Sequence, residues 1–164
     1  MSTVPPTAHI TTGPFFPAQF IRPEDADLAR GDAAAIAIVG AVTDARGTPC
    51  VCAILEIWQA DAKGNMGLWG RTWTDNDGNY RFRTVRPTAR DRAPYINVML
   101  HASGLMRPLV TQMFFPGEAG NDSDPQLSLV PAGRRALLIA RPEAGGLRFD
   151  IALGGQHETP FFED

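Results

Sequence analysis

Residues that interrupt regular structure are spread along this whole chain, and they keep every possible helix or strand short. The 164 residues include 16 Gly and 14 Pro, which do not gather into a single linker. Short runs rich in β-branched residues lie between them, and no long stretch has a helical period. We therefore expect an all-β fold, an antiparallel β-sandwich of about eight strands with a proline-rich N-terminal arm.

The first 35 residues differ from the rest in their proline content, since Pro5, Pro6, Pro14, Pro17 and Pro23 fall close together. Proline disrupts helices and cannot donate to the hydrogen-bond ladder of a central strand. We expect residues 1–35 to form an arm that packs on the domain or on a partner. Residues 36–164 are expected to form the sandwich.

The strand pattern is carried by eight segments: Ile36–Val42, Ala53–Gln59, Arg71–Thr74, Tyr80–Val85, Tyr95–Ala102, Leu109–Phe115, Ala136–Ala140 and Leu147–Leu153. Between the third and fourth, the loop Asp75–Asn79 contains an Asp-Gly pair that supplies the positive φ of a tight turn. The segments on either side are therefore predicted to form a hairpin. One turn of helix is predicted at Asp124–Leu129.

Charge and hydropathy limit the possible partners and the location of the chain. Lys and Arg number 15 against 18 Asp and Glu, which gives a net charge of −3 and no basic footprint for nucleic acid or an anionic membrane. No apolar run approaches the ~20 residues that span a bilayer. The first residues show neither the basic nor the apolar region of a secretory signal, so we expect a cytoplasmic protein.

No complete catalytic or metal-binding motif occurs in the sequence. The histidines, His9, His101 and His157, are far apart, and no nucleophile elbow, phosphate-binding loop or dinucleotide fingerprint is present. Cys50 and Cys52 would share one face of an extended segment, where a disulfide would be strained, so we expect free thiols. The residues taken singly thus predict a β-sandwich and assign it no activity.

Several segments, in order along the chain, together resemble the intradiol ring-cleavage dioxygenases. Among them are Thr11-Thr-Gly-Pro-Phe-Phe16, Glu56-Ile-Trp-Gln-Ala60, the run from Gly70 to Pro87, and Glu158-Thr-Pro-Phe-Phe162. The resemblance implies a β-sandwich and O₂-dependent cleavage of an aromatic ring between two hydroxyl-bearing carbons. It is strongest to the iron-free, α-type subunit of the two-subunit members, which convert 3,4-dihydroxybenzoate to β-carboxy-cis,cis-muconate.

The ligands that this family uses for its non-haem ferric ion are missing from the matching positions. Catalytic chains of the family hold the ion with two Tyr and two His, and the His pair has the form H-x-H in one strand. Here Tyr95 and Asn97 stand at those two positions, and neutral Asn is a poor ligand for Fe(III). The chain has only one further Tyr, Tyr80. The resemblance therefore implies that Fe(III) is bound by a homologous catalytic β-type subunit in a hetero-oligomer, and that this chain binds none.

The resemblance also gives two groups of candidate site residues. The first group matches a segment that helps to line the partner's substrate pocket, where Gly lets the backbone approach a ligand closely. It consists of Thr11, Gly13 and Pro14. The second group would line a residual pocket at the lost iron site. It consists of Arg92, Tyr95, Asn97 and Gln112.

Two alternatives stay open at this point. One is an iron-free homo-oligomeric relative that binds a small aromatic acid in the residual pocket. The other is a transthyretin-like or Ig-like binding module, because the Asp-Gly turn with its flanks recurs in such sandwiches. A catalytic partner would decide against the first alternative, and the resemblance at both chain ends argues against the second. The pairs Phe15-Phe16 and Phe161-Phe162 are expected to anchor a subunit interface.

Overall fold

A computed structural model describes residues 20–162, which form two packed β-sheets. Its strands are β1 (Ile36–Asp44), β2 (Ile54–Ala60), β3 (Met66–Trp73), β4 (Asn79–Thr84), β5 (Tyr95–His101), β6 (Leu109–Phe114), β7 (Arg141–Glu143), β8 (Gly146–Arg148) and β9 (Ile151–Leu153). The helices are α1 (Pro125–Leu129) and the 3₁₀ helices Pro23–Ala26, Ala119–Ser123 and Ala132–Leu138. The prediction of an all-β sandwich is confirmed.

The two sheets differ in strand direction. The second sheet has the order β3-β2-β5-β6 and is antiparallel throughout. The first sheet has the order β4-β1-β8-β7, with β9 also on β1, and β1 is parallel to both β8 and β9. The first sheet is therefore mixed, because the chain returns to β1 only after a long crossover and not through a hairpin.

The expected strand Leu147–Leu153 is divided into β8 and β9 at Phe149. The Phe149 carbonyl accepts a hydrogen bond from the hydroxyl of Tyr80, which is the register partner of Gly40 on β1. A Cβ atom at Gly40 would lie 1.9 Å from that carbonyl oxygen. Only glycine at this position therefore allows the backbone of Phe149 and the ring of Tyr80 to meet above β1.

The predicted hairpin around Asp75–Asn79 is wrong, although the turn itself forms. The amide of Asp75 donates to the Asn79 carbonyl at 2.9 Å, and Gly78 has a φ of +75°. The flanking strands pair elsewhere, β3 with β2 and β4 with β1, so the segment is an arch between the sheets. Thr74 redirects the chain, because its buried hydroxyl accepts from the amide of Ala53 and donates to a backbone carbonyl.

Two other local expectations have opposite outcomes. The segment Ala136–Ala140 is not a strand, since most of it belongs to the 3₁₀ helix Ala132–Leu138. A short apolar run fits either conformation, and here the Arg135 side chain binds the carbonyl that precedes the helix. The helical turn at Asp124–Leu129 is confirmed as α1.

Cys50 and Cys52 are free thiols, but they lie in a turn, and Cys52 has a φ of +55°.

The core lies between the sheets and determines which side chains face outward. Alternate residues of β2 and β5 are buried in it: Leu55, Ile57, Ile96, Val98 and Leu100. Because side chains alternate along a strand, Trp58 and Asn97 lie on the outer face of the second sheet. No helix among residues 20–162 is long and apolar enough to cross a membrane.

The described part of the proline-rich segment contacts the sandwich. Its residue Leu28 is buried and donates its amide to the carbonyl of Arg83 on β4. An ion pair of 3.1 Å between Asp27 and the Arg83 guanidinium lies beside this bond. Asp27 and Leu28 therefore contact β4, while the packing of the arm as a whole and its boundary at residue 35 stay predictions.

Candidate functional site

Three neighbouring strands of the second sheet bring Trp58, Asn97 and Gln112 into one row. Gln112 donates Nε2 to Asn97 Oδ1 at 2.9 Å, and Asn97 donates Nδ2 to the Trp58 carbonyl at 3.3 Å. Asn97 is 8% exposed. Both polar atoms of its buried amide are thus occupied by partners within the chain, as buried polar groups require.

Arg92 joins this row from the loop that precedes β5. Its Nη2 donates to Gln112 Oε1 at 2.9 Å, and its guanidinium carbon stands 4.3 Å from the centre of the Tyr95 ring. A cation at that distance from an aromatic face is attracted by the ring. The four residues expected from the resemblance, Arg92, Tyr95, Asn97 and Gln112, are therefore in contact as one network.

The charge of Arg92 is balanced by Asp124, a residue that the sequence did not single out. Nε and Nη2 of Arg92 donate to the two carboxylate oxygens of Asp124 at 3.1 and 2.9 Å. The Asp124 side chain is buried, and its Oδ1 also accepts the amides of Gln126 and Leu127 at the start of α1. Burial acts to raise the pKa of Asp124, but Arg92 and the helix amides outweigh it and hold the pKa below its usual range. Arg92 is consequently a neutralised structural cation.

A pocket of about 220 Å³ opens beside this network, between the β2–β3 turn and the loop before β5. Its lining includes Gly64, Met66, Pro87, Arg90, Arg92 and Tyr95. Of the four expected residues, Arg92 and Tyr95 line the pocket, while Asn97 and Gln112 lie in the adjoining network.

Hydrogen bonds within the chain hold the two walls of this pocket together. The Thr88 hydroxyl donates to the Ala62 carbonyl, which joins the loop before β5 to the β2–β3 turn. Asp61 closes that turn, because its Oδ1 accepts the amides of Lys63 and Asn65, each at 2.8 Å. The pocket is therefore formed before any ligand arrives.

The floor of the pocket is fixed by a buried amide. Gln59, which is 1% exposed, donates Nε2 to the Val85 carbonyl at 2.7 Å and accepts from the Thr84 hydroxyl at 2.9 Å. These bonds join the end of β2 to the end of β4 and so connect the two sheets at the pocket.

The side chains at this site do not fit a ferric ion. The Asn97 amide is already paired, and the Arg92 guanidinium occupies a face of the Tyr95 ring. Tyr80 lies in the other sheet, and burial together with the nearby Asp150 charge raises the pKa of Tyr80, so its hydroxyl stays protonated. Within residues 20–162, no group of three or more His, Cys, Asp or Glu side chains is arranged to hold a metal ion.

The outer face of the edge strand β3 is rich in aromatic and apolar side chains. Met66 is 59% exposed, Trp69 is 45% exposed and Trp73 is 40% exposed. Arg71 lies among them, 5.0 Å from the centre of the Trp69 ring, and it is paired with Glu56 of β2. We call this surface, Met66, Trp69, Arg71 and Trp73, the β3 face. Exposed aromatic patches of this kind mark interaction surfaces.

Of the two phenylalanine pairs near the chain ends, only Phe161-Phe162 lies within the described residues. Phe161 and Phe162 pack against the core of their own domain, and the Phe162 amide donates to the Val110 carbonyl of β6 at 2.8 Å. They therefore close a sheet edge within the chain. Phe15-Phe16 and the candidates Thr11, Gly13 and Pro14 lie outside the described residues, so their roles stay predictions.

Comparison with known proteins finds one family model and several relatives that match this chain. The model of the family described as "Dioxygenase" matches residues 11–153. The protocatechuate 3,4-dioxygenase alpha chain of Burkholderia cepacia is 34% identical, with 99% of this chain and 100% of that chain aligned. The alpha chain of Pseudomonas putida is 35% identical over 83% of this chain and 80% of that one. The beta chain of Burkholderia cepacia is 33% identical over 76% and 66%.

Solved structures resemble this chain in fold. The dioxygenase domain of a dioxygenase and carbohydrate-binding protein fusion from Streptomyces sp. SirexAA-E superposes with a TM-score of 0.66 at 26% identity, over 92% of this chain and 99% of that one. Catechol 1,2-dioxygenase from Pseudomonas arvilla C-1 gives a TM-score of 0.58 at 22% identity, over 79% and 55%. The second likeness concerns the fold alone.

Proposed function

Because this chain belongs to the dioxygenase family whose model it matches, we propose that it is the iron-free, alpha-type subunit of a protocatechuate 3,4-dioxygenase. The single observation that carries the proposal is that both polar atoms of the Asn97 side-chain amide on β5 already have hydrogen-bond partners within the chain. Where the family's catalytic chains have a His ligand, this chain has an amide that already bonds to Gln112 and to Trp58. Such a chain serves a ring-cleaving enzyme as a structural subunit.

The proposal assigns the chemistry to a homologous beta-type chain that binds Fe(III). The Burkholderia cepacia relatives include one protein named as an alpha chain and one named as a beta chain, and both are similar to this chain. Cleavage of 3,4-dihydroxybenzoate adds both atoms of O₂ as the bond between the hydroxyl-bearing carbons breaks, which gives β-carboxy-cis,cis-muconate. No residue of this chain enters that reaction as a metal ligand.

The β3 face is the proposed surface for the partner subunit. Trp69 and Trp73 are exposed in the isolated chain, and Trp is enriched in the buried centres of protein interfaces. A monomer with this surface would leave an apolar patch in water. Association with a second sandwich removes that patch from solvent.

The N-terminal segment completes the proposal. Thr11, Gly13 and Pro14 are proposed to line the substrate pocket of the partner, as the resemblance implies. Gly13 would let the backbone approach a ligand, and Pro14 would fix the direction of the chain. A cytoplasmic location is proposed from the sequence alone.

The decisive experiment compares the purified chain alone with the chain co-expressed with a beta-type chain. We expect the chain alone to be colourless and free of iron, and the complex to contain iron and to consume O₂ with 3,4-dihydroxybenzoate. Iron content, the visible spectrum and O₂ uptake measure these properties. Iron and ring cleavage in the chain alone would overturn the proposal. A colourless homo-oligomer that binds no beta-type chain would favour the homo-oligomeric alternative.

A further inference from the structure

Arg71 of β3 contacts the N-terminal end of the described chain. Its guanidinium carbon stands 5.7 Å from the centre of the Phe20 ring and 5.0 Å from the centre of the Trp69 ring. Its Nη1 also donates to the Phe20 carbonyl at 3.4 Å. A guanidinium attracts the faces of aromatic rings. Arg71 therefore joins Phe20, the first described residue, to the β3 face.

Glu56 of β2 fixes the orientation of this guanidinium. Nε of Arg71 donates to Glu56 Oε1 at 2.7 Å, and Nη2 donates to the same oxygen. The side chains of Arg71 and Glu56 are only 21% and 18% exposed, and hydrogen bonds between charged groups are strong ones. The two residues are also register partners on neighbouring strands. The sheet therefore sets the position of the guanidinium that contacts Phe20.

The chain that follows Phe20 passes against β3. A Cβ atom at Gly70 would lie 2.6 Å from the Asp25 carbonyl oxygen and 2.4 Å from Leu28 Cδ1, so the chain lies directly against that glycine. The Leu28 amide then donates to a backbone carbonyl of β4 at 2.8 Å. These contacts hold Asp25 and Leu28 without Arg71. The contact of Arg71 with Phe20 is a separate one, farther towards the N-terminus.

We propose that Arg71 is a positioning residue for ring cleavage by the complex, because it fixes the point from which the chain runs back to the proposed pocket-lining segment. That segment contains Thr11, Gly13 and Pro14. Pro14 lies six residues before Phe20 and Thr11 lies nine, at most about 20 and 30 Å of extended chain. Within so short a reach, a displaced Phe20 displaces the segment from the substrate pocket of the partner. Arg71 acts through the segment and not on the substrate, and this inference rests on the proposed function.

The first test uses the full chain alone and the variant Arg71→Met, which keeps a long apolar side chain without the guanidinium. We expect the heteronuclear ¹⁵N nuclear Overhauser effect of the Phe20 amide to fall, because its contact with β3 is lost, while that of Leu28 is retained. Arg81→Met, at an exposed position of β4, is the matched control and should change neither amide. An unchanged value at Phe20 in Arg71→Met would overturn the proposal.

The second test measures ring cleavage by the complex, with this chain in excess so that every beta-type chain is occupied. Arg71→Met should raise KM for 3,4-dihydroxybenzoate at least about fivefold, roughly the loss of one hydrogen bond to the substrate. kcat should stay within about twofold, since the segment is proposed to bind the substrate and not to react. Arg81→Met should leave both constants unchanged. A loss of kcat and of iron with KM unchanged would assign Arg71 a role in assembly alone and refute the proposal.

Deletion of residues 1–16 separates this inference from the proposed function. In the deleted chain Arg71→Met should change KM by less than about 1.5-fold, because the segment through which it acts is absent. Equal effects of Arg71→Met with and without the segment would refute the inference and leave the proposed function intact. A deletion without effect on activity would remove the segment from the proposed function, and the inference would fall with it.

A double variant excludes an indirect effect through Glu56. Arg71→Met leaves the Glu56 carboxylate without its counter-charge, which lowers stability. Arg71→Met combined with Glu56→Gln removes both charges and should show the same raised KM and the same loss of signal at Phe20. Return of KM to the parent value in the double variant would assign the effect to the unpaired carboxylate and contradict the positioning role.

Discussion

Asp124 binds the guanidinium of Arg92 with both carboxylate oxygens, at 3.1 Å to Nε and 2.9 Å to Nη2, and the same carboxylate caps α1. Asp124→Asn would leave a half-buried guanidinium without its counter-charge, so we expect a loss of about 3 kcal/mol in the free energy of unfolding. Urea unfolding measures this loss. Asp122→Asn, at a neighbouring exposed carboxylate, is the control and should change stability by less than about 0.5 kcal/mol. Equal effects of the two variants would contradict the structural role of the pair.

The stability of the chain should fall on acidification, with Asp124 as one contributor. The pKa of Asp124 is lowered in the folded state, whereas in the unfolded chain it returns to about 3.9. As the pH falls, Asp124 binds a proton in the unfolded chain at a higher pH than in the folded chain. The stabilising contribution of Asp124 is therefore fully present above about pH 3.9 and is lost as the pH falls through the folded-state pKa. Unfolding free energies between neutral and acid pH should decline less steeply in Asp124→Asn. Parallel curves for parent and variant would contradict this prediction.

Gly40 should not tolerate any side chain. A Cβ atom there would lie 1.9 Å from the Phe149 carbonyl oxygen, so Gly40→Ala must move backbone or break the contact, and we expect a loss of about 3 kcal/mol. Tyr80→Phe, which removes only the hydroxyl bound to that carbonyl, should cost about 1 kcal/mol. Gly133→Ala has open space around it and serves as the control in the same unfolding measurements. A neutral Gly40→Ala would mean that β1 does not pass beneath Phe149 as described.

The β3 face should carry the association with the partner subunit. The double substitution Trp69→Ser and Trp73→Ser is expected to weaken association with a beta-type chain at least about 100-fold, since Trp at interfaces contributes most of the binding energy. Sedimentation or light scattering of the mixed chains measures this. Leu129→Ser removes a side chain that is 73% exposed on α1, outside the β3 face, and should leave association intact. If Leu129→Ser weakened association more than the double Trp substitution, the interface would lie outside the β3 face.

Deletion of residues 1–16 should separate folding from activity. We expect the deleted chain to keep its thermal midpoint, because the nine described strands lie within residues 36–153. The deletion should lower ring-cleavage activity of the reconstituted complex at least about tenfold. O₂ uptake with 3,4-dihydroxybenzoate gives the activity, and the iron content of the complex is the control. Full activity after the deletion would remove Thr11, Gly13 and Pro14 from the substrate pocket.

Most strands were predictable because burial on one face imposes an alternating pattern. Tyr95–Ala102, for example, was expected as a strand and is observed as Tyr95–His101. The pattern determines which face of a strand is buried but not which strand lies beside it, and the predicted hairpin around Asp75–Asn79 failed for that reason. The predicted strand at Ala136–Ala140 is wrong because a short apolar run is equally suited to a helix.

The candidate site was predictable only in part. The resemblance pointed to Arg92, Tyr95, Asn97 and Gln112, and these residues are in contact. For Asp124 the sequence indicates only the start of a helical turn, because its ion pair with Arg92 spans 32 positions of sequence.

The parallel neighbours of β1 have a consequence for the order of folding. The amide of Ala41 is bound by the carboxylate of Asp150, a residue 109 positions away, and β1 receives both β8 and β9 from that distant part of the chain. Contacts of such long range slow the formation of a domain. During synthesis on the ribosome, one edge of β1 stays open until residues 146–153 have emerged. The nascent chain is therefore most exposed to misassembly just before β8 and β9 arrive.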